Sequence, residues 1–369
     1  MTLRPHAFLF VAGALVAAAG LAAAAPEAMT FVRHEVAAAP DVDFARLGDL
    51  DGDGDLDILV GEMAQNDIAW WENAAGDGTR FVEHEIERGY DGVHAVSPGD
   101  MDGDGDVDVV AASTARHRLG LWLNDGRGKF AVFSGFTPFV RGISFVETAD
   151  VNDDGALDLL TVAEDGVSWW LSNGQPIPAF EPIPLPELAG PVGAVTRVAG
   201  ADVDGDGHTD LITVNPAADR FDVWRQVPGG LLPAFERTPA AGYREPDVAD
   251  IRFAGDLDRD TADDDLVALR ARPSRALGWM GDGSGEFVRA LVPLARAPGR
   301  GPWTALDAGD IDGDDVIDFV VAEVDGKLSW YENQSALATQ GPPRATPPPA
   351  TPNPALPHRA FLPATLADE

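Results

Sequence analysis

An aspartate-rich stretch of nine residues recurs six times along this chain at a nearly constant spacing. That period restricts the fold more than any other feature. The clearest copy is Asp49-Leu50-Asp51-Gly52-Asp53-Gly54-Asp55-Leu56-Asp57. The others begin at Asp100, Asp150, Asp202, Asp256 and Asp310, in steps of 51, 50, 52, 54 and 54 residues. A fixed period of this size is the mark of a repeat architecture.

The stretch also carries chemistry. Hard cations such as calcium take six to eight oxygen ligands at about 2.3–2.6 Å. Alternating carboxylates in a tight turn supply them, and a glycine at position six takes the left-handed backbone that lets the turn wrap. The first copy offers Asp49, Asp51, Asp53 and Asp57, with the carbonyl of Asp55. The second offers Asp100, Asp102, Asp104 and Asp108, with Asp106 at the carbonyl position. The third offers Asp150, Asn152, Asp154 and Asp158, and the fourth Asp202, Asp204, Asp206 and Asp210.

The last two copies depart from the pattern. In Asp256, Asp258, Asp260 and Asp264, Thr261 replaces the glycine and Asp265 reads as a one-residue insertion. A β-branched residue fits a left-handed turn poorly. In Asp310, Asp312, Asp314 and Asp318, the glycine position is Asp315, which tolerates that conformation better. The expectation is up to six calcium ions, held more tightly by the first four loops than by the last two.

An EF-hand begins in the same way but needs a bidentate Glu at position twelve. Here that position is Val60, Ala111, Thr161 and Thr213 in the first four copies. The run after each loop is β-rich, as in Ile58-Leu59-Val60 and Leu211-Ile212-Thr213-Val214. One repeat, read from His94 to Phe136, contains four short β-runs separated by Gly/Asp turns, the content of one propeller blade. At the ends, Phe31-Val32-Arg33-His34-Glu35-Val36 repeats Phe81-Val82-Glu83-His84-Glu85-Ile86 and stands alone, while Leu328 to Asn333 matches a third strand with no fourth after it. The N-terminal strand is therefore expected to complete the last blade and pair both open edges. The chain reads as all-β, a six-bladed β-propeller of four-stranded blades; seven blades would leave too few residues in each.

The loop, its period and the third-strand Trp-x-Asn (Trp71-Glu72-Asn73) resemble the FG-GAP / VCBS repeat family, similar to the calcium-binding propeller of integrin α-subunits. The resemblance covers roughly residues 30–334. It implies a propeller, calcium, and an extracellular adhesive or ligand-binding role, without specifying the ligand.

Composition and the chain ends narrow the setting. Residues 1–25 read as a secretory signal peptide: Arg4, an apolar run, then small residues at Ala22 to Ala25. Residues 26–334 form the propeller, and 335–369 read as a Pro-rich disordered tail. No other segment is apolar enough to span a bilayer, so membrane insertion is not expected. There is no cysteine, which leaves metal as the available staple. Two lysines against 24 arginines suggest a bacterium with a GC-rich genome. A formal charge of −35, about −23 with six divalent ions bound, argues against nucleic acid, whose binding needs a basic footprint.

The expectation is a secreted monomer, periplasmic or at the cell surface, that binds an extracellular glycan or protein. The rivals are a carbohydrate-active enzyme using the central channel and a surface protein with no specific ligand. No catalytic residues are assigned, because no nucleophile elbow, zinc-binding His motif or phosphate loop occurs. The aromatics Trp71, Trp122, Trp170, Trp224, Trp279 and Tyr331 recur in every blade and are expected to pack between blades. Six residues before each loop stand Asp43, His94, Ser144, Thr196, Asp250 and Thr304, a possible polar ring around the channel. From this ring and its entry loops, Asp43, His94, Asp250, Tyr243, Arg244 and Trp303 are the ligand-binding candidates.

Overall fold

In the computed structural model, the residues described are 29–37, 42–185, 188, 195–227, 232–238, 243–244, 248–257, 264–271, 274–281, 283, 286–294, 303–323 and 327–335. The proposed signal peptide, the Pro-rich tail and the segment 258–263 of the fifth loop lie outside them. Apart from a 3-10 turn at Pro216–Ala218 and a helical residue at Leu188, the regular structure of the described chain is β, and its strands form six antiparallel sheets in a ring, a six-bladed β-propeller.

Strand β1 (Phe31–Ala37) comes first and belongs to the last blade. Blade 1 contains β2 (Val42–Gly48), β3 (Asp57–Glu62), β4 (Asp67–Asn73) and β5 (Phe81–Glu87). Blade 2 contains β6 (Val93–Gly99), β7 (Asp108–Ser113), β8 (Arg118–Leu123) and β9 (Ala131–Val132). Blade 3 contains β10 (Phe145–Ala149), β11 (Asp158–Ala163), β12 (Gly166–Ser172) and β13 (Phe180–Pro184). Blade 4 contains β14 (Arg197–Ala201), β15 (Asp210–Asn215), β16 (Arg220–Val227) and β17 (Ala234–Arg237), and the short β18 (Tyr243–Arg244) pairs with β16. Blade 5 contains β19 (Val248–Gly255), β20 (Asp265–Ala271), β21 (Ser274–Met280) and β22 (Val288–Val292). Blade 6 contains β23 (Trp303–Gly309), β24 (Asp318–Glu323) and β25 (Lys327–Asn333), and β1 is its fourth strand. The closing register runs from Phe31 opposite Asn333 to Ala37 opposite Leu328. The sheet edge that each end of the array would expose is thereby paired.

The second strand of a blade shows why the sequence folds this way. All six residues of β3 are buried, and its side chains alternate between two neighbours. Ile58 and Val60 pack with Ile311, Val320 and Trp330 of blade 6, whereas Leu59 packs with Val93, Val96 and Val109 of blade 2. In β24, Val320 and Ala322 face blade 1, while Phe319 and Val321 join the blade 5 cluster. A strand covered on both faces is mostly apolar, as β3, β7, β11 and β15 are after their leading aspartate.

The adjacent aromatics of the third strand divide in the same way. Trp70 packs toward blade 2 and Trp71 toward blade 6; Trp330 packs toward blade 1 and Tyr331 toward blade 5. No helix among the described residues is long and apolar enough to cross a membrane.

A candidate metal centre repeated around one face

Each aspartate-rich loop joins the first and second strands of a blade, so the loops share one face of the ring. The first aspartate organises the turn. Asp49 accepts backbone N–H bonds from Gly52 (2.8 Å) and Asp53 (3.1 Å) on Oδ1 and from Gly54 (3.1 Å) on Oδ2. Asp100, Asp202 and Asp310 repeat this triple acceptance, and Asp150 accepts from Asp154 and Gly155. Such a wrap needs two left-handed residues. Position six is one, as expected, and position four is the other: φ is 75° at Gly52 and 98° at Gly54. Asp153 (58°) takes position four in the third loop and Asp315 (63°) position six in the sixth. The sixth loop thus adopts the same turn without its glycine.

Two further features were not anticipated. The residue at position two is an apolar plug: Leu50, Met101, Val151, Val203, Leu257 and Ile311 are all buried. The ninth position is not at the solvent-facing rim. Asp57 is buried, with Oδ2 accepting from Leu50 N (2.9 Å) and Oδ1 from Asn73 N (2.8 Å) of the third strand. The same pair of bonds recurs at Asp108, Asp158, Asp210 and Asp318. Burial pushes Asp57, Asp108, Asp158 and Asp318 up to about 7 and Asp210 to about 6.

In the fifth loop this position belongs to Asp265, which accepts from Leu257 N (2.6 Å) and Gly281 N (2.9 Å). The expectation of Asp264 as the closing residue is corrected, because the extra residue lies before the strand and shifts the register by one. Asp258 and Asp260 lie outside the described residues.

Carboxylate oxygens converge within 4.8 Å of one another in four loops: Asp49, Asp51 and Asp53; Asp100, Asp102 and Asp108; Asp202, Asp204 and Asp206; Asp310, Asp312 and Asp318. The donor set is entirely oxygen, which suits a hard cation. Asp102, Asp204 and Asp312, all at position three, each keep Oδ1 buried and without a hydrogen bond among the described residues. A buried acceptor without a partner is costly, so the loops fit a divalent ion. In the third loop Asn152 donates from Nδ2 to Asp154 (2.9 Å).

Asn side chains tie the loops into the ring. Asn73 donates to Ile311 O (2.8 Å) in the loop of blade 6, and Asn124 donates to Leu50 O (2.8 Å) in the loop of blade 1. Between blades 3 and 4, Gln226, His208 and Thr209 N all converge on Asp153.

The ligand candidates do not gather into one open site. Trp303 is a core residue, 1% exposed at the start of β23 and edge-on to Tyr331 (6.1 Å); its expected place in an open entry loop is corrected. Asp250 is also fully buried, so the expected ligand role there is corrected as well. It lies in an ion cluster on the innermost strands. Its carboxylate faces Arg46 (3.6 Å), Arg197 (3.6 Å) and Arg252 (3.5 Å), while Glu147 faces Arg252 (3.4 Å) and Arg46 (3.9 Å). Asp307 completes the cluster beside Arg252 (3.8 Å) and accepts from Leu47 N (2.8 Å). Burial pushes Glu147 up to about 8 and raises Asp250 and Asp307.

Three guanidinium groups thus meet three carboxylates where a ring of Asp43, His94, Ser144, Thr196, Asp250 and Thr304 was expected. The Ser144 and Thr304 hydroxyls instead donate to Val162 O and Val42 O (3.4 Å each), and the Thr196 backbone N–H donates to Val214 O (2.9 Å). Of this cluster sequence reasoning singled out Asp250 alone, although a charge inside an apolar inner strand (Arg46, Glu147, Arg252, Asp307) was a readable signal.

His94 is half-buried beside Phe44 (5.5 Å); burial and then Arg197 hold it down to about 4. Tyr243 and Arg244 are described only as the β18 backbone, and the Asp43 side chain lies outside the described residues.

A separate pocket of about 210 Å³ opens in blade 2, where β9 stops after two residues. Its lining includes Glu87, Tyr90, Arg116, Arg118, Trp122 and Phe133. Trp122 stands edge-on to Tyr90 (4.9 Å), and the Arg116 guanidinium lies 5.0 Å from the Tyr90 ring centre. Gly120 makes the arrangement possible, because a Cβ there would meet the Trp122 ring at 2.7 Å.

The FG-GAP-like repeat model matches residues 49–111, 100–161 and 150–213. These residues run from the first loop to the second strand of blade 4, and over them the chain carries FG-GAP-like repeats. Its propeller is a ligand-binding module in general terms. No curated protein matches the chain.

Among solved structures, it is similar to a lectin of Agrocybe aegerita described as recognising non-reducing terminal N-acetylglucosamine. That match has TM-score 0.51 and 15% identity, over 79% of this chain and 85% of the other. It is also similar to BBS1N, solved in complex with ARL6DN (TM-score 0.51, 12% identity, 82% of this chain and 96% of the other). At these identities the likeness is one of fold.

Proposed function

We propose that this protein is a secreted, calcium-stabilised propeller that binds an extracellular glycan, with the blade 2 pocket as its point of contact. The observation carrying the calcium reading is the set of four converged carboxylate clusters with position-three oxygens left without hydrogen bonds in three of them. Calcium acts on the fold: it neutralises crowded carboxylates and rigidifies loops that are tied to neighbouring blades through Asn73 and Asn124.

The blade 2 pocket favours a glycan bearing carboxylates. Its lining carries two arginines, Arg116 and Arg118, and guanidinium groups pair well with carboxylates. The half-buried Phe133 beside them offers an apolar surface to a sugar ring. The Agrocybe aegerita lectin is a sugar binder built on a similar fold, which is compatible with this reading.

The test is an array of neutral and uronate-containing polysaccharides, run with the full chain in calcium and in chelator, beside the Arg116→Ala/Arg118→Ala variant. Saturable binding to the acidic glycans that this variant loses while remaining folded is the expected result. Binding that the variant retains would move the contact away from blade 2, and binding to neutral glycans alone would remove the charge argument.

A further inference from the structure

The six loops are alike in backbone, yet their surroundings differ in charge at one recurrent place. This is the third-strand residue just after the recurrent aromatic: Glu72, Leu123, Leu171, Arg225, Met280 and Glu332 in blades 1 to 6. In blades 1, 4 and 6 position three of the loop is an aspartate, Asp51, Asp204 and Asp312. Glu72 and Glu332 hold the register that Arg225 holds in blade 4: the preceding aromatic pairs with the residue that follows the ninth-position aspartate, Trp71 with Ile58, Tyr331 with Phe319 and Trp224 with Leu211. In blade 4 the opposite charge stands there. Arg225 Nε lies 3.3 Å from Asp204 Oδ2, with the two side chains 34% and 15% exposed.

The two glutamates are held in place. Glu72 shares a hydrogen bond with His84 (2.6 Å), which stacks on Trp70 (4.6 Å). Glu332 does the same with His34 (2.8 Å), which stacks on Trp330 (4.5 Å). Position seven adds to the contrast. It is Asp55 and Asp106 in the first two loops but His208 in the fourth, where the imidazole is turned to Asp153 of the neighbouring loop (2.9 Å).

We infer that this third-strand position sets which loops take a divalent cation: Arg225 is a built-in counter-charge that suppresses binding in the fourth loop, and Glu72 and Glu332 favour it in the first and sixth. The inference rests on the calcium reading and deepens it. It reverses an order based on loop sequence alone. The fourth loop has the complete Asp/Gly pattern, whereas the sixth lacks its glycine. Even so, the sixth makes the same three backbone bonds to Asp310 that the first makes to Asp49. With the backbones equivalent, the difference that remains is electrostatic. A cation entering the fourth loop must share Asp204 with a partly buried guanidinium, and repulsion there is screened less than at an open surface.

The experiment is a calcium titration by calorimetry of the full chain and of its Arg225→Ala, Arg225→Lys and Glu72→Gln variants, at one pH and salt concentration. Arg225→Ala is expected to tighten one site per chain by on the order of tenfold, the scale of one unit charge at such a distance. Arg225→Lys keeps the charge and is expected to titrate as the parent does. Glu72→Gln is expected to weaken one site by a similar factor. If the parent binds calcium and Arg225→Ala gives the same number of ions and the same affinities, this inference is overturned and the calcium reading stands. If no form takes up calcium, both fall together.

Discussion

Replacing Asn73 by Ala tests the tie between the first and last blades. Its Nδ2 donates to Ile311 O at 2.8 Å and its Oδ1 accepts from Gly78 N at 3.0 Å. Asn73, Ile311 and Gly78 are all buried, so water cannot replace the lost partners. One backbone carbonyl and one backbone N–H are left unpaired, each costing about 1–3 kcal/mol, for a total of about 2–6 kcal/mol. The backbone bond from Asn73 N to Asp57 survives the change, so the loss isolates the side chain.

The assay is guanidinium unfolding followed by tryptophan fluorescence, run in calcium and in chelator. Asp125→Ala, at an exposed hairpin residue, is the control and should stay within about 0.5 kcal/mol. The loss at Asn73 should appear in both conditions, because neither bond involves a cation. A deficit under about 1 kcal/mol in both would refute the reasoning. A deficit confined to calcium would instead make Asn73 a support for the cation site.

The buried charges carry two other expectations. In chelator, the closing carboxylates pushed up to about 7 (Asp57, Asp108, Asp158, Asp318) favour their protonated form in the folded chain. Their contribution is fully present below the ordinary carboxylate range and is lost as pH rises through 7. The metal-free protein should therefore melt at a higher temperature at about pH 5 than at about pH 8, and a melting temperature that rises over that interval would contradict this. At the axis, Arg46→Ala leaves Asp250 and Glu147 short of a buried partner and should cost about 3–5 kcal/mol in denaturant unfolding. A cost near zero there would mean that Arg197 and Arg252 suffice to neutralise the cluster.

Much of the architecture was legible because a repeat states the same local solution six times. The period set the number of blades, and the unpaired Phe31–Val36 segment announced the closure that β1 makes with β25. The left-handed turn of the loops was also legible at position six. Position four was missed, although Gly52, Gly103, Gly205 and Gly313 recur there.

The candidate site was harder to read. Trp303 stands apart in the sequence because it breaks the aromatic pattern, but that break is filled by packing against Tyr331. The polar residues six before each loop read as a ring, whereas irregular pairing at Asp43, His94 and Thr304 breaks the alternation in β2, β6 and β23, and only Asp250 of that set joins the ion cluster.

By itself, then, the sequence determined what depends on neighbours along the chain: the loops, the four-strand unit, its repetition and the means of closing it. Tertiary structure decided what depends on neighbours across the ring. It turned the ninth-position aspartate inward onto two backbone N–H groups, placed Arg225 against Asp204, and gathered Arg46, Glu147, Arg197, Asp250, Arg252 and Asp307 into one cluster. The physical reason is that hydrogen bonding within a blade is set by local register, whereas the charge surrounding a loop or a buried carboxylate is the sum over side chains far apart in sequence. Arg46 and Asp250, some two hundred residues apart, meet only because the blades close into a ring.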